Sequence, residues 1–465
     1  MPTRDPQAAV TLADARDIVA ASSFQPPPRL DDPKPGRIGL EPERFAMILG
    51  EDGLPGPRLP LEGPGGALDR LGRSRDPLLG AARFDQHPPA MELPGGGSIT
   101  FEPGAQLEHS TAVYDSASTA LDDVLRIGGA MDRAVSQSHA RLFSLGVDPW
   151  HTPDEVPQQL RAPRYWSMAA YLESRSPYGA WMMRNSCSLQ VNLDLGAPDR
   201  VAPRWELGNF LSPLLVAIFS TSPEAPGEPR YHCRRARIWQ HLDPTRSGFP
   251  SEFLLGRGEP VDQYVKAVLD ADVLLVKKGD GAEPGPGGWT FRDWLKDGHP
   301  EHGFPTPDDL RYHLTTVFFE VRVRGFFELR AIDALPPCWR AAAVTFVSGL
   351  LYDDATTDRA LARLESWRED LQERWVRAGE VGLEDDELAV AAAEIWHLAR
   401  AGAERLGTSF LRPEHLAEAD DFAERFTLVR RAPANDLREA LGDVQRAVRW
   451  TLGAGCGQDR VDVGV

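Results

Sequence analysis

Pairs of polar residues two positions apart recur inside otherwise apolar segments of this sequence. Three pairs stand out: Glu41 and Glu43, Gln190 and Asn192, and Glu328 and Arg330. Side chains at positions i and i+2 of a β-strand point to the same face of a sheet, so each pair would share one surface. A sheet face that carries several Glu and Arg side chains cannot be an ordinary apolar core. The spacing therefore predicts a polar site built on a sheet.

Clustered carboxylates of this kind predict a bound cation. Two unit charges about 4 Å apart interact by about 4 kcal/mol at an effective dielectric of 20, so neighbouring glutamates need a cation between them. Mg²⁺ takes oxygen ligands and links carboxylates to nucleotide phosphates. Arginines on the same face, with Glu320, Arg322 and Arg324 continuing the pattern, can bind phosphate or carboxylate through two parallel hydrogen bonds. Any one of these residues taken alone would more often be an exposed charge, so the coincidence of several pairs supports the metal-dependent site.

The elements that would hold these residues are strands separated by helices. Alternating polarity predicts strands at 37–49, at 97–110 with a turn at Pro103-Gly104, at 187–196, and at 317–333 around Gly325. Helical spacing predicts helices at 119–145, at 210–219 with a kink or start at Pro213, and beyond Tyr352 near 361–375, 384–406 and 435–452. This order predicts a mixed, largely antiparallel sheet flanked by helices, with a helical C-terminal third.

Two local features predict irregular structure. Pro42 cannot donate to a strand ladder, so we expect the first strand to lie at a sheet edge or to contain a bulge there. Residues 278–288 are rich in glycine and proline, which predicts a flexible loop.

Composition excludes several classes of protein. The chain has 465 residues and a formal net charge of −18, which disfavours a nucleic-acid backbone as partner because that affinity comes from Lys and Arg. No apolar run reaches the roughly 18 residues of a membrane span, and the first residues lack the pattern of a signal peptide. The four cysteines lack Cys-x-x-Cys spacing, which favours reduced structural thiols over a zinc site. We therefore expect a cytoplasmic protein that acts on small molecules.

Several motifs together identify a family resemblance. They are GGSITFEPGAQLEHS (96–110), RYWSMAAYL (164–172), MMRNSCSLQVNLD (182–194), RRARIW (234–239), HLTTVFFEVRVRGFFELRAID (313–333) and GLLYD (349–353). In this order, over roughly residues 37–353, the chain resembles the plant and proteobacterial type of glutamate–cysteine ligase. Within that group it looks most like the actinobacterial enzymes that make γ-glutamylcysteine for ergothioneine.

The resemblance implies an α+β fold and a ligase reaction. The expected fold is a curved, largely antiparallel sheet of the glutamine-synthetase-like carboxylate–amine ligase type, flanked by helices. The implied organisation is an N-terminal helix and Pro-rich lead-in at 1–36, a catalytic domain at 37–353, and a helical region at 354–465 packed on it. The implied reaction is ATP-dependent and Mg²⁺-requiring: glutamate is activated as γ-glutamyl phosphate and then joined to the amine of cysteine.

The resemblance also implies individual roles. The residues at metal-ligand positions are Glu41, Glu43, Glu102, Glu108, Glu328 and Gln190. Arg235 and Arg330 match positions expected to hold phosphate oxygens or the glutamate α-carboxylate, and are the predicted catalytic arginines. Asn192 and Arg322 are predicted to contact substrate.

Two other functions stay open on the sequence alone. The chain could be another carboxylate–amine ligase that joins glutamate to a different amine, or a non-catalytic homologue that kept the fold. Against the second alternative, all five predicted ligand carboxylates and the matched arginines are present. The acceptor pocket, which would exclude the first alternative, is not identified by the sequence.

Overall fold

The molecule is built on a large antiparallel sheet. The computed structural model describes residues 9–25, 35–80, 82–83, 88–136, 139–225, 230–279 and 281–452. The strands are β1 Ile38–Leu49, β2 Pro55–Arg58, β3 Ala82–Arg83, β4 Ala90–Glu92, β5 Gly97–Phe101, β6 Leu107–Thr111, β7 Ala140–Phe143, β8 Leu189–Asp194, β9 Ser247–Gly248, β10 Leu275–Lys278, β11 Gly281–Pro284, β12 Phe318–Phe319, β13 Val321–Val323 and β14 Phe326–Leu329. Ten of them form one sheet in the order β13-β14-β8-β1-β6-β5-β4-β3, with β2 and β7 also paired to β1.

Helices flank this sheet and make up nearly all of the C-terminal third. In chain order they are α1 Leu12–Val19, α2 Ala67–Arg73, α3 Ala117–Val135, α4 Pro163–Arg175, α5 Gly179–Asn185, α6 Val201–Ile218, α7 Arg234–Gln240, α8 Ser251–Leu254, α9 Pro260–Asp270, α10 Phe291–Asp297, α11 Pro307–Leu314, α12 Arg340–Leu351, α13 Asp354–Leu364, α14 Leu371–Val381, α15 Asp386–Arg405, α16 Pro413–Arg425, α17 Pro433–Ala440 and α18 Val444–Thr451. The predicted fold class is confirmed.

Strand β1 is central and changes partners along its length. It pairs with β8 up to Pro42, with β6 at Glu43 and Arg44, and with β7 from Phe45 onward. The predicted edge position of Pro42 is therefore wrong. The N–H of Glu43 donates to Ser188 O on the β8 side, so the ring nitrogen of Pro42 faces β6, whose pairing begins one residue later. The missing donor costs no ladder hydrogen bond at that point.

The predicted helix at 119–145 ends earlier than expected. Helix α3 begins after Ser116, whose hydroxyl accepts from the N–H of Thr119, and the last residues of the predicted range form β7 instead. Strand β7 pairs with β1 over four residues, so a partner distant in sequence overrides the local helical spacing.

Two further predictions need correction. The predicted single strand at 317–333 is broken, and β13 and β14 form a hairpin at Gly325, whose φ of +77° suits glycine. Arg322 consequently lies opposite Glu328 in the ladder. The predicted flexible loop at 278–288 contains part of the β10–β11 hairpin.

The C-terminal helices pack around α12, which is buried along its whole length. A Cβ on Gly349 would lie 2.0 Å from the carbonyl oxygen of Ala399, and one on Gly402 would lie 2.1 Å from that of Gly349. Only glycines allow α12 and α15 to approach this closely. The predicted helical third is confirmed, although 435–452 forms two helices, α17 and α18.

The apolar core is continuous through the molecule. One cluster of buried side chains includes Val10 near the start of the described residues and Trp450 near their end. Cys187 and Cys233 are free and buried, whereas Cys338 is disulfide-bonded, so the prediction of reduced thiols is wrong at that position. Cys456 lies outside the described residues. Among the helices that the structure describes, none is both long and apolar enough to cross a membrane.

Candidate active site

The predicted polar residues meet in one cavity on one face of the sheet. This cavity, of about 270 Å³, is lined by the five glutamates and by Gln190, Arg235, Arg322 and Arg330, and is called the carboxylate cavity below. The five glutamates of the cavity are Glu41, Glu43, Glu102, Glu108 and Glu328. Arg164 and Arg324 also line it, so five arginines face five glutamates. Asn192 lies in an adjoining recess that shares Glu41 with the cavity.

Strand register brings these side chains together. In β1, Glu41 lies opposite Gln190 of β8, and Glu43 lies opposite Glu108 of β6. Glu328 of β14 lies opposite Asn192. Directly opposed side chains in an antiparallel pair have Cβ atoms about 5 Å apart, so neighbouring strands deliver their carboxylates to one surface.

The turn between β5 and β6 places Glu102 at the cavity. The N–H of Glu102 donates to Gln106 O, and the N–H of Ala105 donates to Glu102 O, which closes the turn. A Cβ on Gly104 would lie 2.3 Å from Arg184 O, so this position needs glycine for the turn to pack against the residues before β8.

Glu43 is held by three hydrogen bonds from β8 and the residue before it. The N–H of Ser188 donates to Oε2 at 2.8 Å, and the Ser188 hydroxyl donates to Oε1 at 2.9 Å. The amide of Gln190 also donates to Oε1, at 3.1 Å. In the same way, the amide of Asn192 donates to Oε1 of Glu41 at 2.8 Å. The amide partners explain why β8 alternates polar and apolar residues.

Glu108 is held by hydroxyl groups on both sides. The Thr100 hydroxyl donates to its Oε1 at 3.1 Å from the neighbouring strand β5, and the Ser110 hydroxyl donates to the same oxygen at 3.0 Å. Both donors use one oxygen, so Oε2 of Glu108 has no hydrogen-bond partner among the described residues and can face a ligand in the cavity.

Arg330 connects the side chains of two neighbouring strands, β8 and β14. Its Nη1 donates to Oε1 of Glu328 at 2.8 Å and to the amide oxygen of Gln190 at 3.0 Å. Arg235 donates to the carbonyl oxygen of Arg330 at 3.0 Å, so the backbone that carries one arginine is fixed by the other. The side chain of Gln190 thus bonds Glu43 with its nitrogen and Arg330 with its oxygen, and its role as a metal ligand stays a prediction.

The carboxyls at the β1 and β6 side resist ionisation. Burial, together with Glu108 and Glu328, raises the pKa of Glu41 to about 8, and burial with Glu43 raises the pKa of Glu108 to about 7. Burial and neighbouring carboxylates also raise the pKa of Glu102 well above its usual range. Burial acts on Glu328 too, but Arg330 and other guanidinium groups outweigh it and lower the pKa of Glu328. The arginines therefore offset burial fully at Glu328 but not at Glu41, Glu102 and Glu108.

The donor set fits Mg²⁺ shared with a substrate. Carboxylate oxygens are ligands that Mg²⁺ prefers, and a cation would relieve the repulsion that raises these pKa values. Within the part of the chain that the structure describes, no three His, Cys, Asp or Glu side chains converge into a ready-made metal cage. Mg²⁺ is commonly held by one or two carboxylates plus substrate phosphates, so a cage made only of protein groups is not required.

Comparisons with known proteins identify the family. Residues 73–449 match the model described as glutamate-cysteine ligase family 2. The chain is 34% identical over 352 residues to glutamate–cysteine ligase EgtA of Mycolicibacterium smegmatis, covering 75% of this chain and 78% of that protein. It is 30% identical over 328 residues to the chloroplastic glutamate–cysteine ligase of Medicago truncatula, covering 67% of this chain and 63% of that protein. The chain belongs to glutamate–cysteine ligase family 2. The resemblance that the motifs predicted is confirmed.

A solved structure is also similar, at lower sequence identity. Glutamate–cysteine ligase from Francisella tularensis, in complex with AMP, is 12% identical with a TM-score of 0.40, covering 94% of this chain and 99% of that chain.

One wall of the cavity in this family 2 chain is apolar and was missed by the sequence interpretation. It consists of Tyr165 and Met168 from α4 and Met182 and Met183 from α5. Three of the seven methionines of the chain therefore line one cavity. All four residues lie in motifs that carried the family resemblance, but their own types and spacing are also those of ordinary helical core.

Glu320, which the sequence placed on the polar face without a role of its own, is a buried carboxyl behind the arginines. Glu320 is 7% exposed and lines a small cavity together with Arg235, Arg330, Trp239 and Trp375. Burial raises the pKa of Glu320 to about 7, against the effect of the two arginines. The hairpin at Gly325 could not be anticipated from alternation, and it separates Glu320 from the strand that carries Glu328.

Several other residues outside the carboxylate cavity have structural roles. His109 is buried behind the sheet, where burial, Arg44 and Arg340 lower its pKa to about 3. His313 is buried, with Nε2 2.8 Å from the carbonyl oxygen of Val268. Trp367 and Trp375 are core side chains, and Cys187 is buried at the start of β8.

Proposed function

We propose that this protein catalyses ATP-dependent formation of γ-glutamylcysteine from glutamate and cysteine. The observation that carries the proposal is the carboxylate cavity, in which the expected ligand carboxylates and both predicted catalytic arginines meet inside a chain of this family. A cluster of carboxyls with raised pKa values beside a cluster of arginines suits a substrate that carries both metal-bound phosphates and free carboxylates.

The proposed roles of the glutamates and arginines follow from the charges on ATP and on the γ-carboxylate of glutamate. In the first step a γ-carboxylate oxygen of glutamate attacks the γ-phosphorus of ATP, and ADP leaves. Mg²⁺, when bound by the glutamates, supplies charge neutralisation of the phosphates. Arg330 and Arg235 are placed to hold oxygens of the transferred phosphoryl group, because each lines the cavity and is fixed by contacts within the protein.

The second step needs the amine of cysteine beside the acyl phosphate. The amine nitrogen forms a bond to the carbonyl carbon, phosphate leaves with the electrons of the broken C–O bond, and the amine loses a proton. We place the thiol of cysteine against the wall of Tyr165, Met168, Met182 and Met183, because polarisable thioethers and an aromatic ring suit a thiol. This wall favours cysteine over the alternative of a polar amine acceptor.

An assay of ADP release tests the proposal and both alternatives. We expect ADP only when glutamate, cysteine, ATP and Mg²⁺ are all present, with γ-glutamylcysteine identified by mass spectrometry. Glycine, serine and α-aminobutyrate are the acceptor controls, and α-aminobutyrate should replace cysteine better than serine because it keeps an apolar side chain. Release with an unrelated amine but not with cysteine would identify a different ligase, and no release under any condition would identify a non-catalytic homologue.

We further propose that the product feeds ergothioneine synthesis in the cytoplasm. The proposal is supported by the likeness to the mycobacterial relatives named EgtA. Deleting the gene in an actinobacterial host should deplete ergothioneine and leave mycothiol, which needs no γ-glutamylcysteine. Unchanged ergothioneine in a strain without a second ligase would contradict the pathway and leave the proposed reaction intact.

We also propose that 37–353 is the catalytic domain, with 1–36 as lead-in and 354–465 as a helical region packed on it. Buried side chains from α1 and from the C-terminal helices belong to the same apolar cluster, which supports close packing of the three parts.

A further inference from the structure

A buried polar network adjoins Arg235 outside the carboxylate cavity. Asp333 lies at its centre, is 1% exposed, and is not one of the residues that line the carboxylate cavity. The other members come from two segments that are distant in sequence, residues 220–222 after α6 and residues 233–235 at the start of α7. The network therefore joins the end of the β14 segment to the helix that carries Arg235.

One oxygen of Asp333 is fixed by two short hydrogen bonds. The N–H of Thr221 donates to Oδ2 at 2.8 Å, and the hydroxyl of Ser222 donates to the same oxygen at 2.6 Å. A Cβ on Gly146 would lie 2.3 Å from Oδ2, so the carboxyl has no room to move in that direction. These contacts set the direction in which the second oxygen points.

The second oxygen faces Arg235. Oδ1 of Asp333 lies 3.8 Å from Nη1 of Arg235, and no other carboxylate of the described residues is within 4.0 Å of this guanidinium. The two side chains are 1% and 6% exposed, so water does little to screen their attraction. Burial raises the pKa of Asp333, and Arg235 is the group that opposes this effect most. The two groups thus form a buried pair of opposite charges.

The same network holds the main chain that carries Arg235. The N–H of Arg235 donates to the hydroxyl oxygen of Ser222 at 3.2 Å. The Sγ of Cys233, the residue before α7, lies 3.6 Å from Oδ2 of Asp333 and accepts from the N–H of Ala236 at 3.4 Å. Asp333 therefore acts on Arg235 at two places, directly at the guanidinium and through Ser222 at the main chain.

Arg235 transmits this constraint to the second arginine of the cavity. Its Nη2 donates to the carbonyl oxygen of Arg330 at 3.0 Å, and the side chains of both arginines line the carboxylate cavity. A displacement of the Arg235 guanidinium would therefore disturb both arginines, although Asp333 itself stays outside the cavity.

We propose that Asp333 is a positioning residue that holds the guanidinium of Arg235 at the wall of the carboxylate cavity. It touches no substrate and acts through Arg235 alone. The inference rests on the proposed role of Arg235 in phosphoryl transfer. The alternative is a carboxylate that only packs three segments together, and its loss would then lower stability without acting through Arg235.

Asp333→Asn tests the positioning role. The oxygen of the new amide should occupy the place of Oδ2, where Thr221 and Ser222 donate, which turns the NH₂ group towards Arg235. We expect kcat/KM to fall at least about 10-fold, mostly in kcat, since a misplacement of about 1 Å can cost about 10²-fold. The KM for cysteine should stay constant, because the wall proposed to hold its thiol is formed by α4 and α5. Steady-state kinetics measures both parameters.

A double-mutant cycle distinguishes positioning from packing. Arg235→Met removes the guanidinium, and in that background Asp333→Asn should change kcat/KM by less than about 2-fold, because its partner is gone. Asp272→Asn is the matched control. Asp272 is 3% exposed and accepts from the N–H of Gly288 at 2.7 Å and from Arg175 at 3.0 Å, an arginine that does not line the cavity. It should lower the Tm and leave kcat unchanged.

A second variant tests the same link if Asp333→Asn fails to fold by circular dichroism. Ser222→Ala removes the hydroxyl that joins Asp333 to the N–H of Arg235. We expect kcat/KM to fall by about 5-fold, the value of one hydrogen bond, and this loss should also disappear in the Arg235→Met background.

Two results would overturn the inference in a chain that releases ADP. They are an unchanged kcat in folded Asp333→Asn, and equal losses with and without Arg235→Met for Asp333→Asn or for Ser222→Ala in its place. A parent chain that releases no ADP would instead contradict the proposed function. The cycle is then measured by calorimetry as the Kd of AMP-PNP, an ATP analogue that resists cleavage, with Mg²⁺. Non-additive changes in Kd would support the link between Asp333 and Arg235, and additive changes would overturn it.

Discussion

The two faces of the central strands differ in how completely the protein neutralises their charged side chains. On the rear face, Arg44 of β1 is paired with Asp132, at 2.9 Å, and its Nη2 donates to Gly128 O at 3.1 Å. On the cavity face, burial raises the pKa of the adjacent Glu43 although Arg235, Ser188 and Arg330 oppose the shift, and burial with Glu43 raises the pKa of its cross-strand neighbour Glu108. Neighbouring residues of one strand thus show a completed ion pair and a carboxyl whose arginines and hydrogen bonds do not fully offset its burial.

The difference separates structural from ligand-binding charge. A charge that is neutralised inside the protein contributes to packing and needs nothing further. A buried carboxylate cluster whose pKa values stay raised in spite of nearby arginines is unfavourable in its ionised form until a ligand supplies more positive charge. Removing a charge from the cavity face should therefore lower activity, whereas removing a paired charge from the rear face should lower stability.

Removing divalent metal should have the largest effect. Excess chelator should abolish turnover, and Mg²⁺ should restore it and raise the Tm, because an ion bound only by the native state stabilises it. The pKa values of Glu41 and Glu108, about 8 and about 7, lie above the ordinary value of 4.5. Without metal these carboxyls favour folding at low pH, and that contribution is lost as the pH rises through 7 and 8.

Thermal unfolding at several pH values measures this. The metal-free protein should lose Tm between pH 6 and pH 8.5, and the increase in Tm on adding Mg²⁺ should be larger at the higher pH, where the ligands are ionised. Full activity in chelator, or a Mg²⁺ effect that is independent of pH, would contradict a carboxylate metal site.

Replacing one carboxylate of the cavity should have the next largest effect. Glu328→Gln keeps the size of a residue that is 1% exposed but removes the charge that faces Arg330 and that would hold the proposed metal. We expect kcat/KM to fall by about 10³-fold or more, since electrostatic groups of this kind contribute about 10²–10³-fold each and the metal would also be weakened. Steady-state kinetics and circular dichroism measure activity and folding separately.

Arg44→Met is the matched change on the rear face. It removes the ion pair with Asp132 and the bond to Gly128 O, so we expect the free energy of unfolding to fall by about 2 kcal/mol. The kcat of the folded fraction should stay near that of the parent chain. A large loss of kcat in folded Arg44→Met, or near-native activity in Glu328→Gln, would contradict the division between the two faces.

The sequence predicted the chemistry of the site better than its geometry. Spacing along β1, β8 and β14 was enough to place Glu41, Glu43, Asn192 and Glu328 on shared surfaces, because alternation is a local property of a strand. It could not show that Glu43 lies opposite Glu108, since register depends on which strands pair.

The errors in the fold have the same cause. Strand β7 was expected to be helical because its residues continue the spacing of α3, and only pairing with β1 makes it a strand. The hairpin at Gly325 and the central position of Pro42 also depend on partners that the sequence does not specify.

Changing the predicted phosphate contact should have an intermediate effect. Arg330→Lys keeps the charge but loses the planar guanidinium whose Nη1 bonds both Glu328 and Gln190. We expect kcat/KM to fall by about 10²-fold, with most of the loss in kcat because the phosphoryl group carries its largest charge in the transition state. A variant that unfolds would instead show that this residue is structural, and near-native kcat/KM would remove it from the site.

The smallest effect should come from the hydroxyls that hold Glu108. Thr100 and Ser110 both donate to its Oε1, so they fix the orientation in which Oε2 faces the cavity. Thr100→Val and Ser110→Ala remove one donor each and keep the strand geometry, and we expect the Mg²⁺ concentration for half-maximal activity to rise several-fold, since each lost hydrogen bond is worth about 1 kcal/mol. The KM for cysteine should stay constant.

Thr100→Ser is the control, because it keeps the hydroxyl and removes only the methyl group. It should keep the Mg²⁺ dependence of the parent chain, which a purely structural role of the Thr100 methyl group would not do. If both Thr100→Val and Ser110→Ala leave Mg²⁺ activation unchanged, Glu108 does not bind the ion through a fixed carboxylate, and the metal ligands lie among the other glutamates of the cavity.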